Sequence, residues 1–168
     1  MMLDFVVLIA CPTLFAIGAM TDLVSYRIPN WVSLALAGAF VVAAAAGGMP
    51  LSTFGWHLLV GLGGLVVGFT LFAFNIIGGG DAKLFAAGAL WAGPAYIMKY
   101  CFAFALAGGA FAVAVLVMRR VPLPAGAVRI PFIHQLLQPK AGLPYGVALG
   151  VGALIVLFDP LFIQALTT

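Results

Sequence analysis

The chain has 168 residues, 65% of them hydrophobic and 7% charged, with a mean hydropathy of +1.27, whereas a soluble domain would carry roughly 25% charged residues. That composition excludes an ordinary soluble enzyme and predicts an all-α integral membrane protein. The net charge is +3, but no basic patch with interleaved aromatics is present, so the expected partner is the lipid bilayer and not nucleic acid.

The charged residues can be named in full: Asp4, Asp22, Asp81 and Asp159 against Arg27, Lys83, Lys99, Arg119, Arg120, Arg129 and Lys140. Cys11 and Cys101 lie in or beside apolar segments without CxxC spacing, which argues against a zinc site and implies no disulfide. No metal or other cofactor is expected. The N-terminus, Met1-Met2-Leu3-Asp4, lacks the basic region of a cleaved signal peptide, so the first apolar segment is read as a retained span.

In chain order, residues 5–21 form an uncharged stretch just long enough to cross a bilayer. A short polar connection follows, from Asp22 to Ile28-Pro29-Asn30, and Pro29 should end it as the next helix begins. From Ile28 to Gly80 there is no charge at all. As one helix this run would reach about 80 Å, far beyond a ~30 Å hydrocarbon core, so it must fold back. The break is at Gly47-Gly48-Met49-Pro50-Leu51-Ser52, leaving spans near 31–46 and 54–75. A fourth span is expected over 82–98, ending at Lys99-Tyr100, and a fifth over 101–118. Residues 119–140 carry four prolines and read as a basic loop, with a short interfacial piece around 133–137. A sixth span, 141–158, stops at Asp159-Pro160. No second domain or internal repeat is read, so the expected architecture is a single bundle of about six transmembrane helices over residues 1–168.

With six alternating spans, Arg27, Lys83, Arg119, Arg120, Arg129 and Lys140 fall on one side and Lys99 on the other. The positive-inside rule makes the first side cytoplasmic and places both termini outside. Gly64 with Gly68, and Gly142, Gly146 and Gly150, have the spacing of close helix packing.

The same topology brings two acids together. Asp22 ends span one and Asp81 starts span four, and two spans between them return the chain to the same side. Asp4 and Asp159 belong to the opposite face as helix boundaries. An Asp at the centre of a membrane helix costs about 2.5–3.5 kcal/mol, so an acid near that depth is a functional candidate. One acid at a helix end is commonly a cap; two on one side of a chain with four acids suggest a shared task. Paired carboxylates that cannot both ionise share a proton, so one can activate a water while the other protonates a carbonyl. This is aspartic-peptidase chemistry. His57 and His134 are not placed to serve a Ser or Cys nucleophile near Asp81 and read as interfacial or structural. Lys83, two residues past Asp81, points to a different helix face and reads as a snorkelling lysine. The glycines Gly78, Gly79 and Gly80 read as a non-helical lead-in lining a water-accessible cavity.

Asp22 followed by Ile28-Pro29-Asn30, and Gly78-Gly79-Gly80-Asp81-Ala82-Lys83 about sixty residues later, resemble the prepilin peptidases, GxGD-type intramembrane aspartic peptidases. Pro144-Tyr145-Gly146 is similar to a motif near the last span of the short members. The resemblance implies that Asp22 and Asp81 are catalytic and that Ile28, Pro29, Asn30, Gly78, Gly79, Gly80 and Lys83 shape the site or bind substrate. It also implies that the substrate is a prepilin or pilin-like precursor cut at the cytoplasmic face of the inner (plasma) membrane. Larger members carry a cytoplasmic domain after span one, often with paired CxxC motifs, and methylate the product. Only a few residues join spans one and two here, so the resemblance is to the short Flp or tight-adherence pilus type without methyl transfer. An archaeal preflagellin-type peptidase, a transporter with Asp22 and Asp81 as proton or cation ligands, and a non-catalytic assembly protein remain alternatives.

Overall fold

The computed structural model describes residues 2–121, 133, 136–138 and 142–167. Most of the expected basic loop, with Arg129, His134 and Lys140, lies outside the described residues; of the expected interfacial piece, residues 133, 136 and 137 are described and helical. Among the described residues the chain is all-helical, without strands: α1 (Met2–Ser25), α2 (Asn30–Gly47), α3 (Leu51–Ala73), α4 (Gly79–Arg120), α5 (Tyr145–Leu157) and a short α6 (Phe162–Thr167). The first four are long and apolar enough to cross a membrane, and α5 is a shorter apolar helix. Each of the five longer helices carries exposed large apolar residues, Leu34 and Val66 among them, as a lipid-facing surface requires.

Local chemistry sets the boundaries. Helix α1 contains a π-helical stretch, Val6–Ala10, and ends where Tyr26 adopts a left-handed conformation (φ 52°) and returns its N–H to the Asp22 carbonyl at 2.8 Å. Asp22 therefore lies inside the last turn, not after it as the sequence predicts, because no breaker precedes Pro29. Pro29 caps α2 in extended conformation, as expected. Gly48 (φ 68°) ends α2 and Pro50 caps α3, so the turn falls within the expected Gly47–Ser52 cluster, whose last two residues are already helical.

Six separate spans are expected, yet five longer helices form, because spans four and five are one element. At 42 residues, α4 would extend about 63 Å if straight. It does not. The Phe85 ring lies 5.9 Å from Tyr100 and 5.6 Å from Phe104, contacts that a continuous helix cannot make across 15 and 19 residues. The element is a hairpin of two arms, 79–92 and 94–120, that reverses at Gly93, whose φ of 58° and ψ of −172° suit glycine alone. Pro94 opens the second arm. The reversal thus falls six residues before Lys99, which marks the end of the bundle by pairing with Asp159. A methyl at Gly93 would also overlap the His57 ring. Gly93→Ala is expected to cost about 2–4 kcal/mol from backbone strain and overpacking, read as a lowered unfolding midpoint in detergent.

Packing follows small residues. Gly61, Gly64 and Gly68 of α3 meet Leu90, Ala89 and Ala82 of the first arm so closely that added Cβ atoms would lie 2.8–3.0 Å away. Helix α5 wedges between the second arm, at Gly152 against Phe104, and α1, at Gly150 against Phe15 and Ala19. Gly142, expected in that seam, meets no atom within 4 Å among the described residues. Away from the acids, Trp91 Nε1 donates to the Leu36 carbonyl at 2.9 Å. Phe40 stacks on His57, whose Nδ1 meets the Leu90 carbonyl at 2.8 Å. His57 is a buried structural residue.

Candidate active site

Four pieces of chain converge at one end of the bundle: the last turn of α1, the α1–α2 connection, the start of α4 and the start of α5. Together the first three line a cavity of about 560 Å³. Asp22 and Asp81 are both buried, 5% and 8% exposed, both line this cavity, and Asp22 is near enough for its charge to act on Asp81. Ile28, Pro29, Asn30, Gly78, Gly79 and Gly80 line it too.

Each carboxylate is held by one glycine amide. Asp22 Oδ2 accepts the Gly146 N–H at 2.7 Å. Asp81, in the first turn of α4, accepts the Gly78 N–H on Oδ2 at 3.1 Å, which suits an acid near a helix N-terminus. Asp81 Oδ1 is buried and has no hydrogen-bond partner among the described residues. Each acid thus has one oxygen anchored, and Asp81 has a second without a partner among the described residues.

The three glycines do a different job from the one the sequence predicts. Only Gly78 is non-helical, in extended conformation (φ −73°, ψ 152°); Gly79 and Gly80 are the first residues of α4. Their use is close approach. A Cβ on Gly80 would lie 3.0 Å from Ile28 Cβ and 3.3 Å from the Ile28 backbone nitrogen, and one on Gly79 would touch Phe72 at 3.4 Å. Gly80 lets α4 start against the Ile28 segment and so sets Asp81 opposite Asp22. Gly80→Val is expected to leave the protein folded and lower any activity that rests on the acid pair about tenfold by pushing the Ile28-Pro29-Asn30 lip outward, measured as initial rate at equal protein level.

Lys83 is not among the residues lining the cavity. Its Nζ donates to Asn30 Oδ1 at 2.8 Å, tying α4 to the first residue of α2, where the sequence predicts a snorkelling side chain. Thr21 and Ser25 bond backbone carbonyls one turn back in α1. Tyr26 also lines the cavity, and its buried hydroxyl has no partner among the described residues. Among the described residues no three His, Cys, Asp or Glu side chains cluster as metal ligands.

A sequence model of the type IV leader peptidase family matches residues 8–113, more than half of the chain and inclusive of Asp22 and Asp81. The chain belongs to the type IV leader peptidase family. No curated protein and no solved structure matches it significantly. Membership implies peptidase activity of the leader-peptidase type, which the helical membrane fold accommodates. The matched residues end before α5, so Gly146, which anchors Asp22, lies outside them. Sequence reading places Gly146 in a packing seam and in a Pro-Tyr-Gly motif; its amide's contact with an acid 124 residues away is visible only in three dimensions.

Proposed function

We propose that this protein is a membrane aspartic endopeptidase that removes the leader from prepilin or pilin-like precursors, with Asp22 and Asp81 as its catalytic pair. The observation that carries this reading is the pair itself: two buried acids on one cavity, each anchored through one oxygen by a glycine amide.

One carboxyl of the pair is protonated and the other ionised; the proton belongs to the pair. The ionised carboxylate takes a proton from a water as its oxygen attacks the scissile carbonyl carbon. The protonated partner gives its proton to the carbonyl oxygen, forming a neutral gem-diol. Collapse breaks the C–N bond, with the leaving nitrogen protonated by the pair, and yields a carboxylate on the leader and a new amino terminus on the pilin. Water is the only co-substrate, and the fixed amides keep both acids oriented throughout.

The cleavage segment lies in extended form against the Ile28–Asn30 and Gly78–Gly80 walls. At the cavity end of the bundle lie Arg27, which lines the cavity, and Arg119, whose charge acts on Tyr26. Lys99 sits at the far end, paired with Asp159. This charge distribution favours six passes with the cavity toward the cytoplasm, both termini outside and residence in the plasma membrane. A site at the end of the bundle, not at mid-depth, suits a precursor cut beside the membrane better than a transported ion. The α1–α2 connection is too short to hold a further domain, so the activity proposed is cleavage without methylation. Purified protein given an Flp-type prepilin and S-adenosylmethionine should release the leader and leave the new amino terminus unmethylated. A methylated product would contradict peptidase-only action, and no released leader would contradict the reading as a whole.

A further inference from the structure

A second cavity, of about 480 Å³, opens beside the first and shares Asn30 with it. Its lining comes from α2, α3 and the first arm of α4, and on each helix the lining residues recur at i, i+3, i+4 and i+7, beginning with Asn30, Leu58 and Lys83. That spacing is one helix face over about 10 Å. Helix α2 and the first arm both start at the cavity end, where Lys83 bonds Asn30. The groove therefore begins at the lip of the acid-lined cavity and runs along the helices into the apolar zone.

We infer that this groove receives the hydrophobic helix of the precursor just past its cleavage site. The inference rests on the peptidase reading and extends it to how substrate is held. Three observations favour a helix over a lipid chain. The groove begins at Asn30, which also lines the cavity, so a chain extended across the acids leads to its mouth. Ala37 is among its lining, a small residue of the kind that lets another helix backbone come close. Ser33, one turn below Asn30, has a buried hydroxyl without a partner among the described residues, and such a hydroxyl is suited to a hydrogen bond across a helix pair. An acyl chain offers that hydroxyl nothing.

The decisive experiment places photoreactive benzoylphenylalanine at Leu62, in the groove, or at Val66, on the same helix but not in its lining. Both are tested in an Asp81→Asn background with a co-expressed Flp-type prepilin. Crosslinking from 62, and not from 66, to precursor residues one to three turns past the cleavage site is the expected result. Crosslinks only to lipid, or equal yields from both positions, would overturn the inference. In the active enzyme, Ala37→Trp should fill the groove and raise KM for the precursor at least about tenfold with kcat little changed, as expected when binding shared by ground and transition states is lost. An unchanged KM would overturn the inference while leaving the peptidase reading intact. A precursor that the wild-type protein does not cut would overturn both.

Discussion

Replacing Asp22 or Asp81 with Asn is expected to lower leader cleavage at least about 10³-fold. Asn keeps the shape of Asp and, with its carbonyl oxygen turned toward the amide, can still accept the N–H of Gly146 or Gly78. The fold should therefore survive, and helical signal and expression should match the wild type. What Asn cannot do is exchange a proton. With position 22 or 81 an amide, the pair can no longer both accept a proton from water and donate one to the carbonyl. Groups that act as one unit lose almost everything when either is removed, so the double variant should be no worse than either single one. Initial rates on purified enzyme, at saturating precursor, check this; a single variant with more than a few per cent of wild-type activity would exclude that residue from the pair.

Gly146→Ala should cost the next most, about 10²-fold in kcat. An added methyl would lie 2.8 Å from Asp22 Cβ and 2.9 Å from its Oδ2, closer than real Cβ contacts. Backbone on one side and a short side chain on the other leave little that can yield except Asp22 itself. Displacing a catalytic group by about 1 Å can reduce rate by 10², and the 2.7 Å anchor would lengthen at the same time. The measurement is kcat and KM for Gly146→Ala beside Gly150→Ala. Gly150 packs on α1 one turn further on, with an added methyl at 3.3 Å from Ala19, and does not touch an acid. A selective fall in kcat at 146 is expected; equal effects at the two positions would mean that Gly146 serves packing only.

The acid pair was legible in the sequence because charge is so scarce in this chain that two acids on one side stand out, and because apolar run lengths count the passes between them. The glycine seam on α3 was legible from its spacing, and Pro29 and Pro50 mark helix starts through the fixed geometry of proline. The reversal at Gly93-Pro94 is outweighed in the sequence by Lys99, although the dipeptide is a turn signal. A charge is expected at a membrane edge, so Lys99 marks the boundary in the sequence; in the structure that charge pairs with Asp159 after the chain has already turned. The helical state of Gly79 and Gly80 is not legible in the sequence, because glycine suits both an irregular backbone and close approach, and only the distance to Ile28 separates the two. Gly146 and the Lys83–Asn30 bond join residues 124 and 53 positions apart. Periodicity says which face a residue occupies, not which distant amide it meets.

The most direct test of the central claim is to co-express an Flp-type prepilin with wild-type protein or with the Asp22→Asn/Asp81→Asn double variant, at equal membrane levels, and read the product's amino terminus by mass spectrometry. The expected result is one new terminus, where the polar leader meets the hydrophobic segment, in wild type alone. The same terminus appearing with the double variant would contradict a two-carboxylate peptidase.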